Sequence, residues 1–233
     1  MTTVNTPRTR RTTNTRQAIM AAAERLIAEH GPAAVSNRQI AEAAGQRNVT
    51  AVSYHFGDRI TLIGAIMARH GEQVDRIRQL YVSQVEGSDP IRGWVGCLVR
   101  PVTDHLAGLG APSWNARFSV QVMTDPLMRN LVMEDVRSRP HLWHILDALG
   151  SCLTHLPAPV RAARGDMARH LITHTCAERE RALAEGAAPL HRTWEDTADM
   201  LVDALVGLLT AEVTLHRTTP DRRSAPTREE PRV

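Results

Sequence analysis

Arg47 and Asn48 open a run, Arg47–Tyr54, whose residue types suit the edges of base pairs. An arginine takes guanine through two parallel N–H donors and an asparagine takes adenine through its amide, each well-formed pair discriminating by about 1–3 kcal/mol. Thr50, Ala51, Ser53 and Tyr54 follow as outward-facing positions, while Val52 and Phe56, four apart, mark the inward side of the same helix. Arg16, Ser36, Arg38, Tyr54, His55 and Arg59 flank this run as candidate phosphate ligands, which fix register rather than read sequence. Other chemistry is poorly represented. No carboxylate pair and no nucleophile–base grouping is visible, so no enzyme is expected and no cofactor is implied. His170 and His174 are four apart with Cys176 nearby, and His141 and His144 are three apart. The first pair has the spacing to share a metal, but no carboxylate or cysteine completes that face, and no metal site is assigned.

A recognition helix needs a second helix to brace it. The stretch from Ser36 to Arg59 supplies both around a glycine. Ser36 and Gln39 form a capping box, with Val35 and Ile40 placed as a hydrophobic staple. Ile40, Ala41 and Ala44 face inward and Gly45 ends the first helix. The second begins near Asn48 or Thr50, both good caps, and Gly57 closes it. Two short helices about such a turn make a helix-turn-helix. Ahead of it, Ile19, Ala23, Leu26 and Ile27 define one face of a helix from about Thr15 to His30, stopped by Gly31 and Pro32.

The rest reads as helices only. Asp58 caps a helix to about Tyr81 with a stripe of Ile63, Met67, His70, Val74, Ile77 and Tyr81. Further helices are expected over about 90–106, 113–123, 126–139, 140–153, 157–185 and 193–216. The reading is therefore all-α: a disordered basic arm over 1–14, a three-helix helix-turn-helix DNA-binding domain over 15–60, a helical ligand-binding and dimerisation domain over 61–216, and a disordered tail over 217–233. In the last helix Trp194, Leu201, Leu205 and Leu208 trace an apolar stripe expected to meet a second copy. Trp94, Trp114, Phe118, Met123, Leu142 and Trp143, with Arg100, His105, Arg117 and His141 as polar partners, are candidates to line a ligand pocket between the body's helices.

Composition narrows the partners. All 28 basic residues of the 233-residue chain are arginine. Residues 1–60 hold eight arginines against four acids, net +4, while the whole chain carries only +3. That places the positive excess where a polyanion is met. No apolar run is long enough to span a bilayer, and the polar, basic N-terminus has no apolar segment behind it, so a cytoplasmic protein without a membrane partner is expected. Cys97, Cys152 and Cys176 form neither a CxxC pair nor a disulfide framework.

The segment AERLIAEHGPAAVSNRQIAEAAGQRNVTAVSYHFGDRITLI resembles the N-terminal domain of the TetR family of transcriptional regulators. The shared marks are the apolar pattern ending at Gly31, the Ser36–Arg38–Gln39–Ile40–Ala41 run, Ala44–Gly45, and Tyr54–His55–Phe56 ahead of Arg59. The resemblance implies a homodimer on a near-palindromic double-stranded DNA operator, usually a repressor, released when a small molecule enters the body. It also implies a four-helix dimer interface from the last two helices of each subunit. Between Gly45 and Phe56 this chain has one residue more than the commonest family spacing, which leaves open which of Arg47, Asn48 and Thr50 reaches a base. The competing readings are a helical enzyme or metal protein using the N-terminal unit as scaffold, and a dimerising adaptor that senses no ligand.

Overall fold

The computed structural model describes residues 7–85, 90–187 and 193–213. Among them are ten α-helices and no strand: α1 (Pro7–His30), α2 (Asn37–Ala43), α3 (Ala51–Phe56), α4 (Arg59–Val82), α5 (Pro90–Leu109), α6 (Asn115–Thr124), α7 (Arg129–Arg137), α8 (Pro140–Cys152), α9 (Ala158–Ala184) and α10 (Trp194–Thr210), with a 3-10 turn at Pro126–Met128 before α7. The all-α, two-part architecture expected from the sequence is present.

Two expected boundaries move. α1 begins at Pro7, so residues 7–14, expected as part of a disordered arm, are helical. Proline suits a first helical position, and extending an existing helix is far easier than nucleating one. Residues 1–6 and the 217–233 tail lie outside the described residues. α10 ends at Thr210 rather than near His216.

The helix-turn-helix forms for the local reasons its sequence suggests. Ser36 Oγ accepts from Gln39 N at 3.2 Å while Gln39 Oε1 accepts from Ser36 N at 2.8 Å, which completes the capping box of α2. Asp58 Oδ1 caps α4 by accepting from Thr61 N at 2.7 Å, and that bond holds its carboxyl below the usual range. Ile19, Ile27, Ile40, Val52 and Phe56 form the centre of a core that also takes in Leu62, Ile63 and Ile66 of α4 and Phe118 and Val122 of α6. The core thus crosses the boundary expected after residue 60. Gly31 sits where α1 turns towards α2, at φ +82, with Gln121 of α6 only 3.2 Å from where a Cβ would lie. Gly31→Ala is therefore expected to destabilise by about 1–2 kcal/mol from the left-handed backbone alone, read as a lower urea midpoint with an unchanged slope.

The second core belongs to the body and brings α5, α8, α9 and α10 together around Val95, Leu106, Ile145, Ile172, Leu201 and Leu205. This corrects the dimer assignment. Leu201 and Leu205 are 1% and 0% exposed within a single chain, because α10 lays that stripe against α5. Trp194 and Leu208 remain half-buried, the Trp194 ring lying under the Arg179 guanidinium at 4.9 Å.

Two helices in the body lack a cap from their own flanks and receive one from another helix. Neither Trp114 before α6 nor Arg139 before α8 makes a side-chain cap bond. Glu180 of α9, 2% exposed, serves α6: its carboxylate accepts from Ala116 N at 3.1 Å, Arg117 N at 3.0 Å, Ser113 Oγ at 2.9 Å and Arg117 Nε at 3.2 Å. Asp75 of α4 serves α8, accepting from Leu142 N at 3.2 Å and His141 Nδ1 at 2.9 Å. A carboxylate at a helix N-terminus meets both unpaired N–H groups and the positive end of the helix dipole. These caps fix how α6 and α8 sit against α9 and α4.

Candidate functional site

α3 presents one anchored face and one open face. Ala51, Val52 and Phe56 are buried. Ala51 was expected outward; it starts the helix one residue from Val52 and four from His55, which turns it into the core, so it is removed from the DNA-facing set. On the other side Arg47, Thr50, Ser53 and Tyr54 are exposed, Tyr54 at 82%. Among the described residues neither Arg47 nor Ser53 has a polar partner, and the Tyr54 ring makes only an edge contact with His55 at 5.1 Å.

The long turn from α2 to α3 resolves the role of Asn48. Its Oδ1 accepts from Thr50 N at 2.9 Å and from Thr50 Oγ1 at 2.7 Å. An amide oxygen has two lone pairs, so both are occupied, and bidentate reading of adenine requires that oxygen as an acceptor. Asn48 therefore shapes the start of α3, and the Thr50 hydroxyl donor is engaged with it. Arg47 is the long side chain left free at this end.

Several candidate phosphate ligands have intramolecular duties. Arg16 Nη1 donates to the His55 carbonyl at 2.9 Å and its guanidinium lies 4.1 Å from the Phe56 ring centroid. That clamps the C-terminal end of α3 to α1, the favourable end for a cation. Arg59 donates to the Pro32 carbonyl and ties the start of α4 to the turn after α1. Arg38 pairs with Glu42 at 2.8 Å across one exposed turn of α2, a bond that raises its pKa and contributes little stability. Ser36 is engaged in its capping box and His55 is half-buried.

The body holds a cavity of about 180 Å³, below the ~300–1,000 Å³ of sites for drug-sized ligands. Its apolar wall includes Val74, Val102, Leu106, Phe118, Met123 and Leu142. Phe118, Met123 and Leu142 were expected there; the other candidates were not brought together. Arg100 pairs with Asp199 at 2.8 Å, Arg117 is held by Glu180, and His141 by Asp75. Trp94 stacks edge-on against His144, Trp114 packs at the first core, and Trp143 is 58% exposed. His105 stands behind the cavity wall, bonded to His70. Arg78 and Arg139, both 4% exposed, and Asp135, which pairs with Arg139, are the charged groups missed on the wall. Arg139 reaches across Gly71, where any Cβ would overlap its guanidinium, to the carbonyls of Met67 and Ala68 and to Asp135. Arg78 falls four residues after Val74 on the α4 stripe, so a charge in register with an apolar face was the available signal.

From the cavity wall a chain of polar contacts leads to α1. His70 Nε2 lies 2.9 Å from Glu24 Oε1, and His70 Nδ1 lies 2.9 Å from His105 Nε2. Arg69 Nη2 donates to Glu24 Oε2 at 2.6 Å. The tautomers that satisfy all three side chains have His70 donating from Nε2 to Glu24 and accepting at Nδ1 from His105. Glu24, His70 and His105 are all below a tenth exposed. Burial, with His70 and Arg69 beside it, pushes His105 down to about 4, so it stays neutral. No three metal-competent side chains converge among the described residues, and His170 and His174 meet only edge-on, 6.2 Å between ring centroids.

Residues 19–66 match the family described as bacterial regulatory proteins, tetR family. No curated protein sequence matches the chain. Solved structures share the fold. A TetR family transcription regulator from Marinobacter aquaeolei aligns over 85% of this chain and 97% of its own at 17% identity and TM-score 0.59. The TetR family regulator PfmR from Thermus thermophilus aligns over 90% and 99% at 16% identity and TM-score 0.50. NalD of Pseudomonas aeruginosa, described as the secondary repressor of the MexAB-OprM multidrug efflux pump, aligns over 84% and 96% at 18% identity and TM-score 0.51.

Proposed function

We propose that this chain, whose N-terminal domain belongs to the TetR family of bacterial regulatory proteins, is a transcriptional repressor that binds a palindromic operator as a homodimer and leaves it when a small molecule fills the body cavity. The observation that carries this reading is the two-sided α3. Its inner face is buried and clamped by Arg16, while Arg47, Ser53 and Tyr54 stand exposed without polar partners beside it. Arg47 then reads a base edge, and the α3 backbone with Tyr54 meets phosphate. NalD, of the same fold, is described as a repressor, which favours repression over activation. No helix among the described residues is long and apolar enough to cross a membrane, in keeping with action on chromosomal DNA in the cytoplasm.

The dimer surface moves outward from the sequence expectation. Met167 and Leu171 of α9, 54% and 37% exposed, lie one turn apart, and the neighbouring α10 exposes Ala204 and Gly207. Small residues on one helix and apolar ones on the next suit close packing of a second copy, and two copies supply two half-sites at fixed spacing. Ligand release would act through His70, which lines the cavity and bonds to Glu24 of α1: a ligand that shifts His70 shifts the helix that holds α3.

The test is binding to a palindromic duplex against a scrambled one across a salt series. Affinity for the palindrome is expected to fall steeply with salt through counterion release. Arg47→Ala is expected to cost about 1–3 kcal/mol on the palindrome and much less on scrambled DNA, whereas Asn48→Ala shortens helical order at α3 and weakens both. Equal affinity for the two duplexes at moderate salt would remove the regulator reading. Operator binding that no cavity ligand alters would leave the adaptor.

A further inference from the structure

Arg78 is an incompletely paired cation in the wall of a largely apolar cavity. Its Nη1 donates to Asp75 Oδ1 at 3.2 Å. Its Nε is buried with no acceptor, and among the described residues the Nη1–Asp75 contact is its one side-chain hydrogen bond. Nε and Nη2 form the edge of a guanidinium that takes a carboxylate through two parallel bonds. Asp75 does not complete the pairing, because it also caps α8 through Leu142 N and holds His141. Burial lowers the pKa of Arg78, with nearby Arg139 adding to the effect and Asp75 opposing it.

On the wall, Arg139, Ser119, Thr173 and His70 are engaged, whereas the buried Asn115 amide has no partner among the described residues. Arg139 is held by Asp135 and two backbone carbonyls. Ser119 and Thr173 bond to carbonyls of their own helices, and His70 faces His105 and Glu24. A buried donor without an acceptor is costly, so the vacant edge marks what the cavity is built to receive. We propose that the cavity binds a small monocarboxylate with an apolar body, its carboxylate on the Nε–Nη2 edge of Arg78 and its hydrocarbon against Val102, Leu106 and Phe118. A dianion such as phosphate would meet only one uncompensated cation. The inference names the ligand class for the cavity that the proposed regulator uses, and rests on that reading only for its link to DNA.

Isothermal titration of the full-length protein, without DNA, separates the two. Hexanoate, 4-methylpentanoate and benzoate are titrated beside hexanamide and 1-hexanol. At least one carboxylate is expected to bind about tenfold or more tightly than the neutral compounds, and Arg78→Met is expected to remove that preference while leaving the weak binding of the amide in place. Equal affinity for hexanoate and hexanamide, or no heat from any carboxylate at millimolar concentration, would overturn the proposal. The wild-type comparison decides even if Arg78→Met does not fold. A carboxylate that binds this way but leaves operator affinity unchanged sustains the ligand class and counts against ligand-controlled release.

Discussion

Glu180→Ala is expected to lower the thermal midpoint by roughly 6–20 °C, corresponding to about 3–5 kcal/mol for breaking a buried charge pair in a chain of this size. The carboxylate is 2% exposed and accepts from two backbone N–H groups at the start of α6, from the Ser113 hydroxyl and from Arg117. Alanine leaves the buried Ala116 N–H and the part-buried Ser113 hydroxyl and Arg117 N–H without their acceptor, and the Arg117 guanidinium, at 13% side-chain exposure, without its counter-ion. The loss does not stop at α6. Phe118 and Val122 of that helix belong to the core under the helix-turn-helix, so operator binding should weaken at temperatures where the body is still folded. Glu180→Gln, which keeps an acceptor oxygen but no charge, should fall between. A shift of under about 1 kcal/mol for the alanine variant would mean that the carboxylate is no more than a surface ion pair. Burial first, and then the Glu180 charge, push the Cys176 thiol up to about 12.

Acidification should produce the second large effect, and His105 is its main source. In the unfolded chain this imidazole protonates near 6.5; folded, it resists until about 4. Between these values the unfolded state binds the extra proton, so stability rises with pH across the window and is lost as pH falls from 6.5 to 4. The gap from 6.5 to about 4 amounts to about 3–4 kcal/mol. The surroundings set the direction: burial comes first, the His70 ring and the Arg69 guanidinium disfavour a second positive charge, and Glu24 opposes them. Urea midpoints of wild type and His105→Gln, compared from pH 7 to pH 4, isolate the effect from that of the carboxylates. The variant should be less stable at pH 7 and nearly flat from 6.5 to 4.5, with the wild type falling towards it. Parallel curves would show that His105 charges freely in the fold.

The amphipathic pattern made much of this molecule legible in advance. The capping box at Ser36, the stop at Gly31, the cap at Asp58 and the inward pair Val52 and Phe56 are local properties of a few residues, and each occurs as its sequence suggests. What was hidden depends on residues far apart in the chain. Asn48 reads equally well as a base contact or a turn-former until the backbone places Thr50 N within reach of its Oδ1. Leu201 and Leu205 form the same stripe whether their partner is α5 or a second subunit, since periodicity reports that a face is buried and not by what. Glu180 follows Ile172 and Cys176 at four-residue steps, and Arg78 follows His70 and Val74 in the same way. Charged residues in register with buried stripes were the trace of the long-range caps and of the cavity cation. The aromatic residues proposed for the pocket were chosen by type, and most of them serve packing or the surface instead.

The shared core under the helix-turn-helix limits how this protein can be re-engineered. Hybrid regulators are made by joining the DNA-reading end of one protein to the sensing end of another, and residue 60 looks like the natural seam. Ile63, Ile66, Phe118 and Val122 lie beyond it and are buried against Ile19, Ile27 and Ile40. A chimera cut there would exchange half of an apolar interior and inherit steric mismatches at every one of those contacts. A workable graft carries α1 to α3 together with the matching faces of α4 and α6, or else replaces only the exposed side chains Arg47, Ser53 and Tyr54, which leaves the interior intact.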